Sequence, residues 1–194
     1  QNKNYQVKVY LFLAISDILS GDLVEAYEKT EKASSIIEAN NLIDQRPEVL
    51  MYRGVVYKAM GQASEALKFL FNAQDELERF KKEDDYNRKS DLYYYIGQTY
   101  ADLGEKKMSN DYLLMSIEMA KKSSNPAIAY KSYILIADNY TNVDSIQKYY
   151  SLANQITENN EQLQYEKAIL LTNQALLDES IGKKKNSKTN DIQA

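Results

Sequence analysis

PEVLMYRGVVYKAMGQASEALKFLFNA, residues 47–73, is the stretch that decides the fold. Pro47 opens it, and proline suits the first turn of a helix because the N–H it lacks would have no intrahelical partner there. Leu50, Gly54 and Tyr57 follow at spacings of four and three, one face of a helix running up to Gly61. Gly61 reads as the turn, since glycine takes the left-handed conformation without strain. Ala66, Leu70 and Ala73 resume the same spacing beyond it. Small residues two turns apart let a second helix lie close against the first. The stretch is therefore a helical hairpin.

The signature recurs in both directions. Gly21, Ala26 and Ala33 precede it, Gly104, Ser109 and Ser116 follow it, and Gly182, Ser187 and Ala194 close the chain. The residues ahead of each turn match as well. Val9, Tyr10, Leu13, Ala14 and Asp17 run into Gly21, and Tyr93, Ile96, Gly97 and Tyr100 run into Gly104. Tyr133, Ile136, Ala137 and Tyr140 match with no glycine after them, and Leu171, Ala175 and Asp178 precede Gly182. The period is about 40 residues, and no segment sustains period-two alternation, so the expected architecture is an all-α solenoid of antiparallel helix hairpins.

Helices are expected over 3–19 with 22–39, 47–60 with 63–82, 88–103 with 105–122, and 127–141 with 144–158. A ninth spans 161–181, and the tail from Lys183 either opens a tenth or trails as a polar segment. Breaks are expected at Asn40–Asn41, Lys82–Asp85, Ser123–Pro126 and Asn159–Asn160, polar or proline-marked turns between units. The repeats lie near 7–40, 47–82, 90–123 and 130–158, with a partial one over 168–194, in one domain. The start at Gln1 and the incomplete last copy read as a piece of a longer protein.

Composition narrows the function. The 17 tyrosines stand in for the missing tryptophan as large core aromatics. Tyr57, Tyr100 and Tyr140 share one register facing the hairpin partner, so they read as core, whereas Tyr94 and Tyr149 are placed for ligand contact. A net charge of -4 argues against general nucleic-acid binding and against an anionic membrane surface. The one basic run, Lys183, Lys184, Lys185 and Lys188, reads as a solvated helix start. No stretch approaches the ~20 apolar residues of a membrane span. The absence of cysteine suits the cytoplasm or, with an export signal removed, the periplasm.

The pattern of a Tyr or Leu, a small residue four on, Tyr three further, then Gly, Ala and Ala resembles the tetratricopeptide repeat (TPR), in its long bacterial form. The second copy matches best, the first departs at Asp17, the fourth lacks the turn glycine, and no copy has the family's tryptophan. The likeness covers nearly the whole chain. It implies a right-handed superhelix whose first helices line a concave groove. Carried onto this sequence, the groove-facing residues are Leu11, Ile15, Ile18, Met51, Val55 and Lys58 in the first two copies. In the third and fourth they are Tyr94, Gln98, Ala101, Asp102, Ile134, Asp138 and Asn142. A subset of the family clamps a C-terminal carboxylate with groove Lys, Arg and Asn residues. Leu11, Ile15, Val55 and Gln98 hold those places here, so that clamp is absent.

An apolar strip beside carboxylates suits a protein or peptide segment with a Leu-, Ile- or Phe-type anchor and a nearby Lys or Arg. On this reading the chain is a non-catalytic binding scaffold without cofactor or metal. Two alternatives stay open. Long, uneven, Tyr-rich repeats look similar to those fused to helix-turn-helix domains or sensor kinases of bacteria, some of which read small peptides. The chain is otherwise a structural assembly module, with Leu11, Ile15 and Ile18 covered by a further helix or by a second subunit of a homo-oligomer. An enzyme is disfavoured. Without His or Cys there is no imidazole base, thiol nucleophile or histidine metal site. Asp102 with Asp138 is the one carboxylate pair placed on a shared face, in a groove too open to tune two acids apart. Asp84–Asp85 reads as a solvated turn, and each glycine stands alone, so no phosphate-cradling loop forms.

Overall fold

The computed structural model describes residues 2–80 and 85–192, with side chains described as far as Gly182. The described residues form α1 (Lys3–Ser20), α2 (Leu23–Asn40), α3 (Arg46–Ala59), α4 (Ala63–Phe80), α5 (Tyr86–Asp102) and α6 (Lys106–Lys122). α7 (Pro126–Asp138), α8 (Val143–Glu158) and α9 (Gln164–Ile192) follow, with single 3-10 turns at Ile43–Gln45 and Glu161–Leu163. The chain divides at Asn125 and Pro126 into two compact units, the first holding three hairpins and the second holding α7–α9. Most of the expected Lys82–Asp85 break, with Asp84, lies outside the described residues, as does Ala194.

The turn glycines do what the repeat demands. Gly61 sits at φ 74°, Gly21 at 88° and Gly104 at 78°, each left-handed, with open space where a Cβ would stand. The backbone angle alone requires glycine there. Gly54 is required by closeness instead. A Cβ on it would stand 2.7 Å from Leu70 Cγ and 3.1 Å from the Ala66 carbonyl, and Gly97 meets Leu113 in the same way at 2.8 Å. The fourth hairpin replaces the glycine with a cap: the Asn142 side chain accepts from the Ser145 N–H at 2.8 Å and starts α8.

Within the first unit the two helices of each hairpin pack together, α2 also packs on α3 and α4 on α5, and the odd helices touch one another, α1 on α3 and α3 on α5. Odd helices thus line the inner side of this unit. Val7, Leu11, Ala33, Ile37 and Val49 fill the seam between the first and second hairpins. Met51, Leu70, Ala73, Leu77, Leu92 and Ile96 fill the next. Each buried Val, Leu, Ile or Met side chain there contributes about 1.5–3 kcal/mol.

The tyrosine register recurs as a ring pair in each later hairpin. Tyr57 stacks on Phe69 at 5.1 Å, Tyr100 on Tyr112 at 5.7 Å, and Tyr140 on Tyr149 at 5.6 Å. The three first partners are half-buried rather than fully enclosed, and they face the second helix of their hairpin. In the second unit, the Tyr130 hydroxyl donates to the Glu166 carbonyl at 2.9 Å and ties α7 to α9.

α9 departs from the expected fifth turn. It passes through Gly182 as continuous helix, without a left-handed residue there. Beyond Gly61 and Gly104 an apolar, small-residue face exists to fold back; beyond Gly182 the sequence is Lys183, Lys184, Lys185 and Asn186, with no apolar residue before Ile192. Nothing there drives a hairpin.

Candidate binding face

The register of the first unit brings several expected residues together. Ile15 of α1, Val55 of α3 and Gln98 of α5 hold equivalent places in successive odd helices, and all three are half-buried. Ile18 and Lys58 form the next row, also half-buried. Lys58 Nζ lies 3.5 Å from Asp102 Oδ2, so the ends of α3 and α5 are joined across this face. Asp102 is exposed and its charge is already matched. Tyr94 leans edge-on against Tyr95 at 5.5 Å, and its hydroxyl accepts from Gln98 Nε2 at 3.5 Å. Burial pushes the Tyr94 hydroxyl above its ordinary pKa.

Other expected residues lie elsewhere. Leu11, 2% exposed, and Met51, 4% exposed, belong to the two core seams. The odd helices touch each other there, and that contact takes up side chains a one-helix view places on the open surface. Asn142 is the cap of α8. Tyr149 is committed to Tyr140. Asp138 ends α7 in the second unit, whereas Asp102 belongs to the first. The Asp138 residue as a whole is exposed, yet partial burial of its carboxyl, which takes water from the charged form, pushes its pKa up. The neighbouring Tyr150 hydroxyl is pushed up by burial and then by the Asp138 charge.

One feature of the inner face went unread in the sequence. A cleft of about 660 Å³, lined among others by Lys8, Ile43, Gln45, Glu48 and Arg88, lies where α1, α3 and α5 begin. Lys8 and Glu48 stand one helical turn before Leu11 and Met51, so a signal existed in the same register. Gln45 is 9% exposed, and its Oε1 is buried without a hydrogen-bond partner. Arg88 Nη1 donates to the Asp44 carbonyl at 2.8 Å and pairs with Asp85 at 3.4 Å. Arg53 was also unread. It holds the place that Leu13 and Ile96 hold in their copies, pairs with Glu31, and sits over the rings of Tyr27 and Phe69 at 5.7 and 5.2 Å. It fastens α2 to α3 and α4 rather than facing a ligand.

Hairpins of this geometry, stacked through alternating seams, define a helical-repeat protein with the TPR-type fold. Among solved structures the chain is similar to BtubC (BKLC) from P. vanneervenii, with TM-score 0.67, 16% identity, and 81% of this chain covered against 65% of that one. It is similar to TPR-like repeats of a putative kinesin light chain from Podosopora anserina, with TM-score 0.64, 16% identity, and 94% and 90% covered. It is also similar to a Rap protein solved in complex with Competence and Sporulation Factor, with TM-score 0.65, 14% identity, and 93% and 54% covered. The chain therefore spans about two thirds of BtubC and about half of Rap. No family model and no curated protein matches the sequence. Among the described residues no group of three His, Cys, Asp or Glu is placed to hold a metal ion, and no helix is long and apolar enough to cross a membrane.

Proposed function

We propose that the first unit binds an extended protein or peptide segment along the inner face of α1, α3 and α5. The observation that carries this reading is the row of Ile15, Ile18 and Val55, apolar and only half-buried, beside the Lys58–Asp102 pair. An apolar anchor of the segment removes that row from water, and an adjacent Lys or Arg shares Asp102 with Lys58. The cleft at the start of the same helices suits a few further residues of the segment.

The reading is supported by the similarity to a Rap protein solved in complex with Competence and Sporulation Factor. On that reading the chain is the sensing region of a larger bacterial regulator. The test is fluorescence polarisation with peptide libraries that fix a Phe or Leu anchor next to Arg or, as control, next to Asp. The Arg set is expected to bind, and Val55→Arg to abolish binding while leaving the thermal melt unchanged. Equal binding by a folded Val55→Arg protein overturns the assignment.

A further inference from the structure

The inner face of the first unit is unlike at its two ends. Near the helix starts one register place holds Lys8 in α1, Glu48 in α3 and Asp91 in α5. Near the helix ends another holds Leu19, Ala59 and Asp102. Lys8 is thus the one cation of the first row and Asp102 the one carboxylate of the last, at opposite corners of the face. Between them the middle row runs from Ile15 through Val55 to Gln98, apolar on α1 and α3 and polar on α5.

The structure places these charges where the register puts them. Lys8 and Glu48 line the same cleft. Burial, and then the charges of Glu48 and Asp91, push the Tyr52 hydroxyl up to about 12, so both carboxylates act on one point of α3. Asp102 reaches back to Lys58 of α3 at 3.5 Å. Arg88 is the cation of α5 at the cleft, and Asp85 at 3.4 Å and the Asp44 carbonyl already take it up.

The span between the corners sets a length. Two steps between packed helices cover roughly 16–20 Å, and eleven residues of helix about 16 Å, so the diagonal is about 25 Å. An extended chain crosses that distance in about seven residues. A free peptide of that size carries an ammonium at one end and a carboxylate at the other, and the two corners distinguish them.

We infer, on the inner-face reading proposed above, that the ligand is a free peptide of about seven residues lying in one direction along this diagonal, with its N-terminal, basic end at Asp102 and its C-terminal carboxylate at Lys8. An Arg or Lys near the N-terminus shares Asp102 with Lys58. Apolar residues after it cover Val55 and Ile15, and the carboxylate then reaches Lys8. The reversed peptide brings its carboxylate to Asp102 and its basic residue to Lys8, like charge against like at both corners.

The test titrates the full chain with the peptide Ser-Arg-Phe-Ser-Gly-Leu-Ser and with the same residues in reversed order, both with free ends. Composition and net charge are equal, so order alone differs. The first is expected to bind about fivefold tighter, the scale of an exposed ion pair. Amidating its C-terminus, or Lys8→Gln in the protein, is expected to remove most of that advantage. Lys8 is exposed, so Lys8→Gln is expected to melt like the parent. Nuclear Overhauser contacts from the peptide Leu methyls are expected to fall on Ile15. Equal affinity for the two orders, or contacts from that Leu to Gln98 instead, overturn the direction and leave the inner face as the site. Amide shifts along α1, α3 and α5 with neither peptide overturn the inner-face reading itself, and the direction with it.

Discussion

Asp17 of α1 and Lys29 of α2 meet at 2.7 Å in the place where the second hairpin stacks Tyr57 on Phe69. The register is identical, one period apart. The first hairpin therefore closes with an ion pair where the other three close with two rings. Both partners are about one-fifth exposed, so this pair is better shielded than an ordinary surface salt bridge.

If the two closures are interchangeable, Asp17→Phe combined with Lys29→Phe is expected to fold with a melting temperature at or above the parent's. A stacked pair contributes about 0.5–1.5 kcal/mol beyond its burial. Lys29→Phe alone is expected to melt lower, because it leaves the Asp17 carboxylate against the negative face of an aromatic ring. The hydrogen bond from Lys29 to Asp17 holds the ammonium pKa above its usual 10.5. Its contribution is therefore whole below pH 10.5 and is lost as pH rises through the folded value. Melting curves at rising pH should show that loss in the parent and not in the doubly substituted protein.

Gly54 tests the close approach of α3 and α4. In a free helix Gly→Ala gains about 1 kcal/mol. Here the added methyl meets Leu70 Cγ at 2.7 Å and the Ala66 carbonyl at 3.1 Å, and overpacking of that kind costs about 1–3 kcal/mol. Gly54→Ala is expected to lower the urea midpoint with the m-value unchanged. The first hairpin carries Ala14 and Thr30 at the equivalent places. Gly54→Ala with Leu70→Thr should accordingly lose less than the sum of the single changes, which a double-mutant cycle measures.

The helices and hairpins were legible because their signals are local. Gly61 ends one helix, Pro47 starts it, and Ala66 with Ala73 marks its partner. The binding face was legible only in part, because it depends on which neighbour covers a residue. Leu11 and Ile15 lie one helical turn apart in the same helix, yet Leu11 is closed into the α1–α3 seam and Ile15 stays half-open. Asp17 looked like a fault in the repeat until Lys29, twelve residues on in another helix, supplied its partner. Gly182 misled for the opposite reason. Its spacing matched the turn signature, but no apolar face followed to make the turn worth folding.

The contrast between Gly182 and Gly61 gives a further expected result. Gly182 lies inside α9 with nothing within 4 Å of a Cβ position, so Gly182→Ala should raise helicity by up to about 1 kcal/mol of local stability. Gly61→Ala, forced into a left-handed backbone, should cost about 1–2 kcal/mol. Hydrogen exchange over residues 176–190 reads the first and thermal melting reads the second. Faster exchange in Gly182→Ala would restore the turn expected from the repeat.

Lys58 decides whether Asp102 takes part in recognition. The two are 3.5 Å apart, and Lys58 is the better shielded partner, with 19% of its side chain exposed against 51% for Asp102. A basic residue of a bound segment must share the carboxylate with Lys58 or displace it. Lys58→Met removes that competitor and keeps most of the side-chain bulk. Peptides with an apolar anchor next to Arg are then expected to bind up to about fivefold tighter, the range set by exposed ion pairs worth about 0.2–1 kcal/mol. The gain should fade at 1 M salt, where the screening length falls to about 3 Å. Peptides with Asp in place of Arg should bind more weakly to the same variant, since Asp102 then repels them without compensation. Affinities that ignore both the substitution and the salt would remove Asp102 from the face and leave the apolar row of Ile15, Ile18 and Val55 to carry recognition alone.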